Sequence, residues 1–195
     1  MWLKSKVTII LRDILRQATA VLHARLDSDL AVFDFENLMA YRMFLDCTGR
    51  ALPGIEQDLE TSGVETLLPD WPERRRRTAL AEDLRGLGLA PAPLAAGTSQ
   101  PLSRAQMLGT LYVLEGSRLG ATVLARQAET SSSPAVKSNV RYLSHGKGLR
   151  FWPSFQCVLN AAAVSPDEQA AATRSAKRAF EIFIRAFESR KAMPT

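Results

Sequence analysis

A chain of 195 residues with 46% hydrophobic and 23% charged residues can bury one ordinary core, which excludes wholesale disorder and calls for no second domain over 1–195. The excess of 25 Lys and Arg over 20 Asp and Glu, a net charge of +5, favours an anionic partner, but the basic residues are dispersed and no aromatic-basic interleaving occurs, so nucleic acid is not expected. Cys47 and Cys157 stand far apart outside any CxxC spacing, which excludes a zinc or dithiol motif and predicts two buried thiols in a reducing, cytoplasmic compartment.

The chain opens with Lys4 and Lys6 before the apolar Val7 to Leu11, a run too short for a signal-peptide core and broken by Arg12 and Asp13. No apolar stretch approaches the roughly 20 residues that cross a bilayer, so no membrane span is expected. Helical periodicity begins over 7–26, where Ile10, Ile14, Val21 and Leu22 recur on one face. A second helix is predicted over 35–50, with Pro53-Gly54 as a break or kink and a short helical piece to Glu60. Asp70 is read as the cap of a helix with Pro72 in its first turn, ended by Gly86 and Gly88. Residues 89–101, with three prolines and a glycine, read as a loop. Ser103 caps a long helix to about Ala128, and Thr130 to Pro134 is a linker. Residues 135–149 read as irregular or briefly helical, 150–162 as a short helix, and Ser165-Pro166-Asp167-Glu168 starts a last helix to about Arg190. With no strand pattern and no internal repeat, the expected fold is a single-domain, all-α bundle of six to eight helices.

Two features carry chemistry. His23 lies inside the first amphipathic helix, and an imidazole facing a bundle interior is either a haem ligand or a half-buried histidine bonded to a neighbour. Arg16, seven residues earlier and roughly 10 Å away along the axis, lies on nearly the same face. The second feature is Tyr112-Val113-Leu114-Glu115-Gly116-Ser117-Arg118-Leu119-Gly120-Ala121. Two glycines in a helix interior cost about 1 kcal/mol each relative to alanine, so side chains must be excluded there, either by a second helix or by a flat ligand lying on the backbone. Elsewhere, Arg74 to Arg77 read as a solvated helix surface or a docking patch for an acidic electron donor, and His145 as a surface-loop residue. Phe180, Phe183 and Phe187 read as core, and Tyr112 as a pocket or packing residue.

The segment Leu15 to Asp27 together with Tyr112 to Gly120 resembles the haem oxygenases, most closely the bacterial, biliverdin-producing, bacteriophytochrome-associated type. The resemblance extends to Trp71-Pro72-Glu73-Arg74, Asp83-Leu84, Leu87-Gly88, Gly146-Lys147-Gly148-Leu149 before Phe151-Trp152, and the final helix. It implies haem, as substrate and cofactor together, held between a proximal N-terminal helix and a kinked distal helix. It implies His23 as iron ligand, Arg16 as propionate partner, Gly116 and Gly120 as glycines bordering the dioxygen site, and Tyr112 and Arg118 as further haem-pocket residues. The implied reaction cleaves haem to biliverdin, carbon monoxide and ferrous iron with dioxygen and electrons from a ferredoxin or reductase, with a bacteriophytochrome as a possible product acceptor. This chain departs from the pattern at Ser117, where many members carry an acidic residue that organises distal water, so that water, Arg118 or another polar group must guide the proton. It departs also at Ala121, which replaces a common glycine, and over Phe155 to Ala163, which lacks the basic residues of some relatives. Arg150, Arg174, Lys177 or Arg178 would substitute for those. Two other readings share the same residues: a haem-binding or storage protein without turnover, and a haem-free interaction module on the same scaffold.

Overall fold

Leu11, Leu15 and Thr19, followed by the half-buried Leu22, Leu26 and Leu30, make one apolar stripe at helical spacing, and they form helix α1 (Leu11–Leu30) in a computed structural model that describes residues 10–93 and 100–189. The expected start at residue 7, the end at Arg190 and loop positions 94–99 lie outside the described residues. Asn37 caps α2 (Leu38–Thr61), its Oδ1 accepting the backbone N–H of Met39 and of Ala40. Pro53 does not break α2. Leu52, Ile55 and Leu59 around it are buried, and burial of that face outweighs the lost backbone bond. The residue whose carbonyl the proline ring would crowd is Gly49, four earlier.

The single helix expected from Asp70 to Gly86 is two, α3 (Trp71–Arg74) and α4 (Arg77–Gly86), and Asp70 is not its side-chain cap. The cause sits in α2. Glu56, buried at 1% exposure, accepts the backbone N–H of Arg76 (2.7 Å) and of Arg77 (3.0 Å), taking up donors at the start of α4. Arg75 between the two helices is extended, with φ −62° and ψ 137°. Helix α5 (Arg104–Thr130) and helix α9 (Pro166–Glu188) begin with the expected capping boxes at Ser103 and Ser165. The stretch 135–149 contains two one-turn helices, α6 (Pro134–Lys137) and α7 (Arg141–Ser144), and α8 spans Phe151–Ala161. Nine α-helices and one 3₁₀ turn at Val64–Thr66 are present among the described residues, one helix more than expected.

Helix α9 is the axis on which α5, α1 and α2 pack. Its two halves do different work. Ala172, Ala176 and Ala179 give a low surface on which α5 sits so close that a Cβ on Gly109 would lie 2.0 Å from the Ala172 carbonyl oxygen. Phe180, Phe183 and Phe187 then turn the same face aromatic, and Phe187 joins Phe33 and Phe44 in edge and tilted ring contacts. The helices are thus held tightly at one end and propped apart by large rings at the other. Among the described residues no helix is long and apolar enough to cross a membrane.

Candidate functional site

Where the rings prop α9 away from α5, a cavity of about 410 Å³ opens between α1, α5 and α9. Leu26, Phe44, Val113, Leu124, Trp152, Phe180 and Phe183 make its wall largely apolar. His23 and Asp27 of α1, and Tyr112, Gly116, Ser117 and Gly120 of α5, supply most of its polar and backbone surface. Six of the seven residues singled out in the sequence fall near this one space, and five of them line it.

His23 stands with its ring centre 5.7 Å from that of Phe180, and its side chain keeps 63% exposure because the cavity is open. Its Nδ1 lies 2.8 Å from Asp27 Oδ2. That contact fixes the proton on Nδ1 and leaves Nε2, with its lone pair, as the nitrogen available to a metal. Asp27 was missed in the sequence. The signal was there: position i+4 on the same helix is the nearest place for a carboxylate to orient an imidazole.

The two glycines on α5 are not packing glycines. A Cβ at Gly120 would meet nothing within 4 Å, and one at Gly116 would touch only the Trp152 ring at 3.7 Å, an ordinary contact. Gly109 on the same helix shows what a packing glycine looks like. The bare backbone at 116 and 120 therefore borders open cavity. Ser117, between them, donates to the Leu114 carbonyl (2.7 Å) and accepts from Arg76 Nη2 (2.9 Å), so its single proton is committed to its own helix while a lone pair remains for a ligand or water. Burial raises the Tyr112 phenol above its ordinary range, against the opposing pull of the Thr19 hydroxyl and of Arg16 and Arg12. Arg16 is exposed and does not line the cavity; its charge bears on Tyr112 at the edge.

Arg118 also stays out of the cavity wall. It pairs with Glu115 (2.9 Å), donates to the Arg74 carbonyl (2.6 Å) and lies over the Phe151 ring at 4.8 Å. The arginine run is not a solvated surface. Arg74 and Arg76 are each 2% exposed, while Arg75 and Arg77 point outward to Glu60 at 3.5 and 2.7 Å. The extended backbone at Arg75 gives the run a period of two, so alternate guanidiniums enter the core. Arg74 reaches Asp70 (2.7 Å), Glu115 (2.8 Å), the Phe151 carbonyl (3.0 Å) and Ser154 Oγ (2.7 Å). His145 is half-buried behind this cluster rather than in a free loop, and Cys157 is exposed while Cys47 is buried. Arg150, Arg174, Lys177 and Arg178 are all exposed, and none lines the cavity. The three phenylalanines are both core and cavity wall.

This arrangement matches known proteins along most of its length. A family model described as heme oxygenase matches residues 11–189. A heme oxygenase of Xanthomonas campestris pv. campestris is 35% identical over 136 residues, 69% of this chain and 80% of that protein. The heme oxygenase PigA of Pseudomonas aeruginosa is 32% identical over 136 residues, 66% of this chain and 68% of that protein. In overall fold the chain is similar to the crystal structure of the NO- and CO-bound heme oxygenase from Neisseria meningitidis, with a TM-score of 0.77 and 21% identity, covering 96% of this chain and 95% of that one.

Proposed function

The chain belongs to the haem oxygenase family, and on that premise we propose that it binds haem in the cavity between α1 and α5 and cleaves it to biliverdin, with His23 as the iron ligand. The observation that carries the reading is the open space beside Gly116 and Gly120 in the same cavity as an imidazole whose second nitrogen is already oriented.

The residues present fit the group. A flat apolar macrocycle needs aromatic and aliphatic walls, supplied by Phe180, Phe183, Trp152 and Leu124. It needs one nitrogen donor, His23 Nε2, with a carboxylate behind it, Asp27. It needs a stretch of backbone that carries no Cβ, and a methyl at 120 would project into the cavity. No Lys or Arg lines the wall, so the propionates belong at the mouth, where Arg16 is the partner we assign.

Haem bound there supplies the dioxygen chemistry, acting as both the site of oxygen reduction and the molecule opened. The protein holds and excludes. His23 Nε2 would hold the iron, and Asp27 keeps the imidazole in one tautomer. The bare backbone at Gly116 and Gly120 would leave the α5 side of the bound group free of side chains, room that a small ligand on the iron would need. Ser117 keeps a lone pair for a water in that space but has no proton to spare, so proton delivery falls to water on the cavity side of Ser117. Electrons come from a ferredoxin or a reductase docking on the basic exterior.

Titration with hemin tests the ligand. Wild type is expected to give a sharp Soret band with one equivalent, and His23→Ala a broadened, shifted band with at least tenfold weaker binding. Identical spectra for the two proteins would remove His23 from the iron and support a haem-free module.

A further inference from the structure

Behind the cavity wall, three polar atoms are buried without a partner: Arg76 Nη1, Arg118 Nη1 and His145 Nδ1. They belong to one electrostatic cluster. Arg118 Nη1 lies 3.6 Å from where a Cβ on Gly146 would sit, beside the His145–Gly146 turn, and the charges of Arg118 and Arg76 both act on His145. Arg76 is the anomaly. Of the three guanidiniums in the cluster, Arg74 has Asp70 and Glu115, and Arg118 has Glu115. Among the described residues Arg76 has no carboxylate partner for its guanidinium. Its contacts are the Leu114 carbonyl (3.0 Å), Ser117 Oγ (2.9 Å) and the Tyr142 ring, 5.3 Å from centroid to guanidinium carbon. Glu56 faces the Arg76 backbone, with both oxygens on main-chain N–H groups, and burial raises its carboxyl against the pull of those N–H groups and of the Arg76 and Arg77 charges. A guanidinium 2% exposed with one arm unpaired is a position that folding strongly disfavours unless something negative joins it.

We propose that Arg76 Nη1, Arg118 Nη1 and the Nδ1–H of His145 form a buried site for one small monovalent anion of halide size, adjoining the cavity through Ser117 and Tyr142. The choice of anion over water follows from charge, and the tautomer of His145 tells the two apart. A water has two acceptor sites, so with both arginines bonded to it the third contact must be a water O–H given to a bare Nδ1. An anion only accepts, so it takes three N–H groups at once and holds neutral His145 as the Nδ1–H tautomer. It also supplies the negative charge that Arg76 lacks. The consequence for the wall is direct, because the other arm of Arg76 holds Ser117.

The chain has only two histidines, so ring nitrogen-15 spectra of the full-length protein resolve His145 with His23 as internal reference. The protein is equilibrated with gluconate, too large for the site, and bromide is added at constant ionic strength near pH 7. His145 is expected to pass saturably into the Nδ1–H form, its apparent pKa rising by one unit or more, while His23 stays unchanged. Crystals grown in bromide are expected to show an anomalous peak between the three nitrogens. In Arg76→Gln the response of His145 to bromide should vanish. A His145 locked in the Nε2–H form at every bromide concentration, or water density without an anomalous peak, would overturn the proposal. A bromide response that survives in folded Arg76→Gln would overturn it too. Should Arg76→Gln fail to fold, the two wild-type measurements decide alone.

Discussion

At the residue scale, the site turns on hydrogen bonds that a sequence does not display. His23 was visible because so few histidines are present and one falls inside a strongly periodic helix. Its partner Asp27 was legible in principle from the i+4 spacing. The role of Arg76 was not, since a run of four arginines looks like surface until Glu56, twenty residues earlier, takes the amides of Arg76 and Arg77. Asp27→Asn keeps the shape of the pair but removes its charge, and it is expected to weaken hemin binding about tenfold and to lower the iron–histidine stretching frequency of the ferrous protein, read by resonance Raman. An unchanged frequency would mean that the imidazole is oriented by something else. Glu56→Ala deletes a buried acceptor and leaves two main-chain donors unmet, so it is expected to lose about 2–4 kcal/mol in urea unfolding.

At the element scale, α5 carries glycines of two kinds that sequence alone treats alike. Gly109 is where α9 touches the backbone of α5; at Gly116 a Cβ would meet only the Trp152 ring, and at Gly120 nothing. Gly109→Ala is expected to destabilise by about 2–3 kcal/mol or more through the clash with the Ala172 carbonyl. Gly120→Ala should leave the haem-free protein as stable or about 0.5–1 kcal/mol more stable, from helix propensity. Its effect should appear only with haem, as weaker binding or a changed product isomer. Equal destabilisation by the two substitutions would mean that position 120 is packed. The helix ends were legible where local chemistry sets them, as in the capping boxes at Ser103 and Ser165. They were misread where tertiary contacts decide, as at Pro53, carried through by its buried flank, and at Arg75, where Glu56 interrupts the helix.

At the scale of the whole molecule, the alanine half of α9 packs closely on α5 while its aromatic half lines the cavity in which we propose that haem binds. Periodicity announced an all-helical bundle, yet the cavity is a property of three helices at once, and only the resemblance named it beforehand. The buried basic cluster has a consequence for the fold as well. Burial, then Arg118 and Arg76, hold His145 down to about 4 from an ordinary value of 6.5. The unfolded chain therefore takes up this proton on acidification before the folded one does. The associated stability is complete above about pH 6.5 and is lost as pH falls toward 4. In halide-free buffer the unfolding midpoint of wild type should accordingly drop further than that of His145→Gln between pH 7 and pH 4.5, whereas parallel curves would place His145 in contact with solvent. The most direct test of the assignment is aerobic turnover of the haem-loaded protein with ascorbate or a ferredoxin–reductase pair, followed by chromatography of the pigment. Loss of the Soret band with biliverdin as the product is the expected result. A haem spectrum that persists unchanged through repeated reduction in air, with no bile pigment recovered, would make this a haem carrier and contradict the proposed catalysis.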